Sequence, residues 1–243
     1  MLYHLFASVQ SLEILKSISS RSCLAAFTAF FISIFFGHWF IKRLRSLKVG
    51  EDTTKTDSEE LKRMHFDKKN TPTMGGIVII VSILVSVLLW CNIYNEYILL
   101  LMFTLIWFGI LGFIDDYIKL TQTKAAGLTD VSKLLFQSAL GLILGLILYF
   151  HMKKFAWGTH VVIPLVKDFR PDLGPLYILF VTFFIVGMSN AVNLTDGLDG
   201  LAIGCGIIAG IAFAVVAYVS GRMDFSNYLR ILYIPGSGEL SVF

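Results

Sequence analysis

Charged side chains are scarce in this sequence. Only 15% of its 243 residues are Asp, Glu, Lys or Arg, whereas 56% are hydrophobic and the mean hydropathy is +0.75. A soluble domain carries about 25% charged residues, so the composition excludes an ordinary soluble globular protein. The formal net charge of +3 is too small to indicate a partner such as nucleic acid.

Cysteine is also scarce. Cys23, Cys91 and Cys205 are too scattered for a metal site, and an odd number of cysteines does not make a disulfide framework. We therefore expect buried or lipid-facing thiols. The first twenty residues lack the basic start of a cleaved signal peptide, which favours an uncleaved segment lying at the membrane interface.

Long apolar runs are what the sequence has in abundance. Runs of about 18 to 20 residues are long enough to cross about 30 Å of hydrocarbon. We predict an all-α, polytopic helical membrane protein with a single integral membrane domain over residues 1–243. The predicted spans are 22–41, 74–93, 97–114, 134–152, 176–193 and 200–220.

The distribution of basic residues predicts the orientation. Segments 42–73, 115–133 and 194–199 hold twelve of the twenty Lys and Arg residues, nine of them in 42–73. The positive-inside rule then places these segments in the cytoplasm and the N-terminus in the periplasm. Polar residues within all three segments would lie on one side of the membrane, as a catalytic or binding site requires.

Asp115 and Asp116 end one of the apolar runs. Adjacent carboxylates repel each other near a low-dielectric region, and a divalent cation or a cationic partner relieves that repulsion. Mg²⁺ is typically held by one or two carboxylates together with substrate phosphates. A simple stop signal at the membrane surface would also explain the pair.

A second polar segment, residues 190–200, separates two apolar runs. Asn193, Asp196 and Asp199 are spaced three apart and would share one face of a helix. Amide donors and carboxylate acceptors suit sugar hydroxyls or a nucleoside, and Gly197 would let the backbone approach a ligand. A polar turn between two helices is the alternative.

A third polar segment opens the second span. Pro72 suits a helix start and Thr71 suits an N-cap, so free backbone N–H groups there would attract phosphate. Lys68 and Lys69 lie just upstream. Basic anchors beside lipid headgroups would explain these lysines equally well.

Together these three segments resemble one family. Residues 68–76 (KKNTPTMGG), 115–117 (DDY) and 190–200 (NAVNLTDGLDG) are similar to the phospho-N-acetylmuramoyl-pentapeptide transferases. These are a branch of the polyprenyl-phosphate N-acetylhexosamine-1-phosphate transferases of the bacterial inner membrane. The resemblance implies transfer of phospho-MurNAc-pentapeptide from UDP-MurNAc-pentapeptide to undecaprenyl phosphate, with Mg²⁺, at the cytoplasmic face. The products would be lipid I and UMP, among membrane lipids, in a family that includes homodimers.

The resemblance also implies roles for individual residues. Asp115 and Asp116 would be catalytic and would contribute to metal binding. The remaining site residues would bind substrate: Lys68, Gly197, Leu198 and Asp199 at uridine; Thr73, Asn193 and Asp196 at ribose and phosphates; Lys119 and Lys133 at the pyrophosphate.

The chain departs from the family pattern in extent. The family has ten spans, of which about six are predicted here, and its later part supplies a metal-binding Asp in a Met-Gly-Asp segment and a His-rich loop. This chain ends at Phe243, so we expect it to be the N-terminal six-tenths of the enzyme and inactive alone. Two other functions stay open, a GlcNAc-1-phosphate transferase and a non-catalytic transporter or scaffold.

Overall fold

The fold consists of helices throughout the described part of the chain. The computed structural model describes residues 16–46, 74–121, 127–155, 158–163, 169–198 and 200–243. Within these ranges the extended pairing is limited to an isolated antiparallel bridge between His160 and Asp172. The helices are α1 (Ile18–Ser46), α2 (Gly76–Trp90), α3 (Glu96–Thr121), α4 (Asp130–Met152), α5 (Leu176–Thr195), α6 (Leu201–Ser220), α7 (Met223–Leu229) and the 3₁₀ helix η1 (Ser237–Ser241).

Five of these helices are long and apolar enough to cross a membrane, namely α1, α3, α4, α5 and α6. The predicted all-α, multi-pass membrane protein is therefore confirmed. Helix α2 is apolar but only 15 residues long, which at 1.5 Å per residue is about 22 Å. It is shorter than the predicted span 74–93 because the backbone becomes extended at Cys91. The periplasmic N-terminus stays a prediction.

The described residues fall into two compact units. Unit 1 comprises those within Met1–Gly127 and Ala209–Phe243, and unit 2 comprises those within Leu128–Ile208. The prediction of one domain over 1–243 stays a prediction.

In unit 1, helices α1 and α2 pack together through small polar side chains. Ser33 Oγ donates to Ser82 Oγ at 3.0 Å, and Ser86 Oγ donates to the Ala25 carbonyl at 2.7 Å. Trp90 Nε1 donates to Thr28 Oγ1 at 2.9 Å. Small and hydroxyl side chains let apolar helices approach closely while hydrogen bonds satisfy their polar groups.

A buried ion pair joins the two ends of unit 1. Arg21, in the first turn of α1, is 2% exposed and forms two bonds to the Glu239 carboxylate of η1, at 2.8 and 2.5 Å. Arg21 also donates to the Trp90 carbonyl, and the Asn92 amide donates to Glu239. The bidentate pair therefore ties η1 to α1 and to the segment after α2.

We expect Glu239→Gln to destabilise the protein strongly. Removing one partner of a buried pair leaves an uncompensated charge and costs about 3–5 kcal/mol. Thermal unfolding in detergent measures the change. Asp224→Asn, at an exposed acid of α7 in the same unit, is the matched control and should cost less than about 0.5 kcal/mol. Equal melting temperatures for the two variants would contradict the assigned role of the pair.

In unit 2, the backbones of α4 and α5 lie close together. A Cβ atom at Gly141 would lie 2.7 Å from Thr182 Cα, and one at Gly145 would lie 2.9 Å from the Ile178 carbonyl oxygen. Glycines four residues apart put both close contacts on one helix face. These contacts hold the N-terminal half of α5 against α4.

Candidate active site

Asp115 and Asp116 lie near the C-terminal end of α3. The apolar run from Tyr97 to Ile114 forms most of this helix, and the two acids follow it within the same helix. The side chain of Asp115 is 13% exposed and that of Asp116 is 33% exposed. The pair therefore lies inside α3, which continues to Thr121 and so extends past the predicted span end at residue 114.

Lys119 lies between the two carboxylates. Its Nζ is 2.8 Å from Asp115 Oδ2 and 3.7 Å from Asp116 Oδ1, at helix spacings of four and three residues. A cation in the last turn is also favoured by the helix dipole. Lys119 thus provides the cationic partner that adjacent carboxylates require, a role that the sequence interpretation did not assign to it.

Gly127 approaches the same cluster from the segment that follows α3. Its φ is +99°, and a Cβ atom placed on it would lie 2.5 Å from Asp115 Oδ1 and 2.9 Å from Lys119 Cε. The Gly127 backbone therefore contacts the ion pair with no room for a side chain. Sequence reasoning missed this contact, although a glycine two residues before the Thr129 N-cap does indicate a turn.

The second polar segment begins inside α5 and continues past its end. Asn193 lies in the last turn of the helix, and Asp196 is the C-cap residue with φ −82° and ψ 44°. Both side chains are exposed, as is Leu198, which is 69% exposed. Gly197 is exposed as well, whereas Asp199 lies outside the described residues.

A hydrogen-bonded network anchors the start of that segment within unit 2. Gln137 of α4 is 5% exposed, donates to Ser189 Oγ and accepts from Asn190 Nδ2, each at 3.0 Å. Asn190 also donates to the Val186 carbonyl at 2.9 Å. Asn190 is therefore a structural residue between α4 and α5, and Asn193 is left exposed almost one turn later.

The structure describes only some of the remaining predicted site residues. Lys133 lies half-buried in the first turn of α4, where Thr129 forms the N-cap by accepting from the Ser132 amide. Lys68 and Thr73 lie outside the described residues. Unit 1 thus brings Asp115, Asp116 and Lys119 together, whereas the α5 residues and Lys133 belong to unit 2.

The described residues offer few metal ligands in one place. Within the ranges that the structure covers, no three His, Cys, Asp or Glu residues are grouped so as to hold a metal ion. The Asp115–Asp116 pair supplies two carboxylates, which is a partial ligand set for a divalent cation that also binds substrate phosphates.

These features define a polytopic membrane protein with an acidic pair at the end of a spanning helix, and a family comparison identifies the class. Residues 97–238 match the model of glycosyl transferase family 4, which is more than half of the chain. The chain belongs to glycosyl transferase family 4. The matched region includes Asp115, Asp116 and Lys119 of unit 1.

A shorter signature and individual relatives show which branch of the family this chain resembles. Residues 68–80, which include Lys68 and Thr73, match the phospho-N-acetylmuramoyl-pentapeptide-transferase signature 1. The phospho-N-acetylmuramoyl-pentapeptide-transferase of Oleidesulfovibrio alaskensis is 42% identical over 242 residues, covering 100% of this chain and 65% of its own length. That of Thermodesulfovibrio yellowstonii is 43% identical, covering 100% of this chain and 66% of its own length. The resemblance predicted from the sequence is confirmed, and the chain spans about two thirds of the length of these curated relatives.

Proposed function

We propose that this chain is the N-terminal part of a transferase that moves phospho-MurNAc-pentapeptide from UDP-MurNAc-pentapeptide to undecaprenyl phosphate. The products are lipid I and UMP. The observation that carries the proposal is the signature over residues 68–80 in the same chain as an acidic pair at the end of a membrane-type helix. Relatives more than 40% identical over the whole chain support the same activity.

The chemistry exchanges one phosphoanhydride bond for another. A phosphate oxygen of undecaprenyl phosphate bonds to the β-phosphorus of the nucleotide sugar, and the bond from that phosphorus to the bridging oxygen breaks. UMP leaves with the electron pair of the broken bond. Both reactants are anions, so charge neutralisation and positioning supply most of the catalysis.

Asp115 receives and orients the lipid phosphate in this proposal. In this proposal its carboxylate, which follows the apolar run of a spanning helix, meets the lipid phosphate at the membrane surface. Lys119, 2.8 Å away, offsets the repulsion between the carboxylate and the incoming anion and can contact the pyrophosphate. These two residues therefore place opposite charges around one point at the membrane surface.

Asp116 and Asp115 together would hold part of the coordination shell of a divalent cation, which we propose to be Mg²⁺. When bound, that cation neutralises the charge that develops on the phosphate oxygens. Two carboxylates fit the usual protein contribution to a Mg²⁺ site that is completed by substrate phosphates. We propose that a further metal ligand comes from the C-terminal third of the relatives, which this chain does not cover.

The nucleotide half of the substrate is assigned to the exposed polar segment. Asn193 and Asp196 present amide and carboxylate groups to solvent at the end of α5, which suits the ribose and the phosphates. The other substrate-binding residues proposed from the family pattern are Lys68, Thr73, Lys133, Gly197, Leu198 and Asp199. We place the protein in the bacterial inner membrane, among membrane lipids, with its active site at the cytoplasmic face.

Formation of lipid I and UMP tests the proposal. The assay supplies UDP-MurNAc-pentapeptide, undecaprenyl phosphate and Mg²⁺ to a chain in which residues 1–243 are followed by a C-terminal part that brings it to the length of its relatives, which we call the longer protein. The signature over residues 68–80 favours the muramoyl nucleotide over UDP-GlcNAc. A purified, folded protein that leaves both substrates unchanged would contradict the proposal.

A further inference from the structure

We propose that Gly127 is a positioning residue for Asp115. Gly127 lies beside one oxygen of the carboxylate while Lys119 pairs with the other, so a side chain at position 127 would displace the carboxylate. This inference rests on the proposed transferase function and names a residue that determines the geometry of that site.

The two oxygens of Asp115 have different neighbours. Oδ2 pairs with Lys119 Nζ at 2.8 Å. Oδ1 faces Gly127, because a Cβ atom at Gly127 would lie 2.5 Å from Oδ1 and 3.1 Å from the carboxyl carbon. A side chain at position 127 would therefore take the space that Oδ1 occupies beside Gly127.

Two features make position 127 unfavourable for any residue with a side chain. Its φ of +99° is a conformation that L side chains rarely adopt. The space for a side chain is also taken, since the same Cβ would lie 2.9 Å from Lys119 Cε. Gly174 and Gly200 also have positive φ, but a Cβ atom on either meets nothing within 4 Å.

A methyl group at Gly127 has to displace either the Asp115 carboxylate or the Gly127 backbone. Displacement of the carboxylate separates it from Lys119 and shifts the point where the lipid phosphate is received. A misplacement of about 1 Å in a catalytic group can lower turnover about 100-fold. Uridine contacts are assigned to other residues, so we expect nucleotide KM to change less than about twofold while kcat falls.

The test compares three variants of the longer protein, with kcat normalised to folded protein from size-exclusion chromatography. We expect Gly127→Ala and Gly127→Asn each to lower kcat about 100-fold. Asn tolerates positive φ better than Ala but still carries a Cβ atom. A loss of kcat in Gly127→Asn therefore reports the contact with Asp115 and not backbone strain. Gly174→Ala is the matched control, with positive φ and open space, and should keep kcat within about twofold.

A double-mutant cycle with Asp115→Asn gives a readout that a purely structural role would not affect. If Gly127 acts through Asp115, adding Gly127→Ala to Asp115→Asn lowers the residual kcat less than about threefold further. If the double variant instead shows the product of the two single losses in kcat, the positioning role is overturned. A Gly127→Asn variant with normal kcat would also overturn it. If the unmodified protein makes no lipid I, the proposed function fails first and independently of Gly127.

Discussion

Asp115→Asn should lower the kcat of the longer protein by about 100- to 10,000-fold. The substitution keeps the shape of the side chain but removes the charge that Lys119 neutralises at 2.8 Å. It also removes the group that we assign to readying the lipid phosphate, and loss of such a general base or orienting group has effects of this size. Steady-state kinetics with both substrates saturating measures the change.

The control for this variant is Asp130→Asn. Asp130 is an exposed acid in the first turn of α4 and has no assigned role in the site. It should retain kcat within about twofold, while both variants should keep the melting temperature of the unmodified protein within a few degrees. Near-normal turnover of Asp115→Asn would rule out the essential role of this carboxylate.

Residues 1–243 alone should form no detectable lipid I. The chain spans about two thirds of the length of its relatives, and in the part that the structure describes no three His, Cys, Asp or Glu residues are grouped as metal ligands, so Asp115 and Asp116 form a partial set. A phosphoryl transfer between two anions without a complete cation site loses its main source of charge neutralisation.

The measurement uses purified 1–243 in detergent or lipid vesicles, beside the longer protein at the same concentration. Circular dichroism should show that 1–243 is helical, so that inactivity is not a consequence of unfolding. Conversion of UDP-MurNAc-pentapeptide and undecaprenyl phosphate to lipid I by 1–243 alone would contradict the expectation.

The helices were predictable because apolar length decides where a chain crosses a bilayer. Five of the six predicted spans correspond to helices long enough to cross, and the remaining one, 74–93, corresponds to the shorter α2. The end of α2 was not predictable. It depends on the extended backbone at Cys91 and on Asn92, whose amide bonds to Glu239, 147 residues later.

The site was predictable in composition but not in contacts. The sequence identified Asp115, Asp116 and Lys119, because acids and a lysine at the end of an apolar run are unusual there. It did not show that Lys119 pairs with the acids, nor that Gly127 returns to Asp115, since these contacts depend on side-chain rotamers and on the path of the chain after α3. Gln137 was missed for a similar reason, because its partners Ser189 and Asn190 are more than 50 residues away.

The most direct measurement of the central claim is a competition between two nucleotide sugars. The longer protein receives equal concentrations of UDP-MurNAc-pentapeptide and UDP-GlcNAc with undecaprenyl phosphate and Mg²⁺, and the lipid products are separated by mass. The proposed function predicts that lipid I and UMP form in equal amounts and that no GlcNAc-bearing lipid appears. A lipid product carrying GlcNAc-1-phosphate, with lipid I undetected, would contradict it.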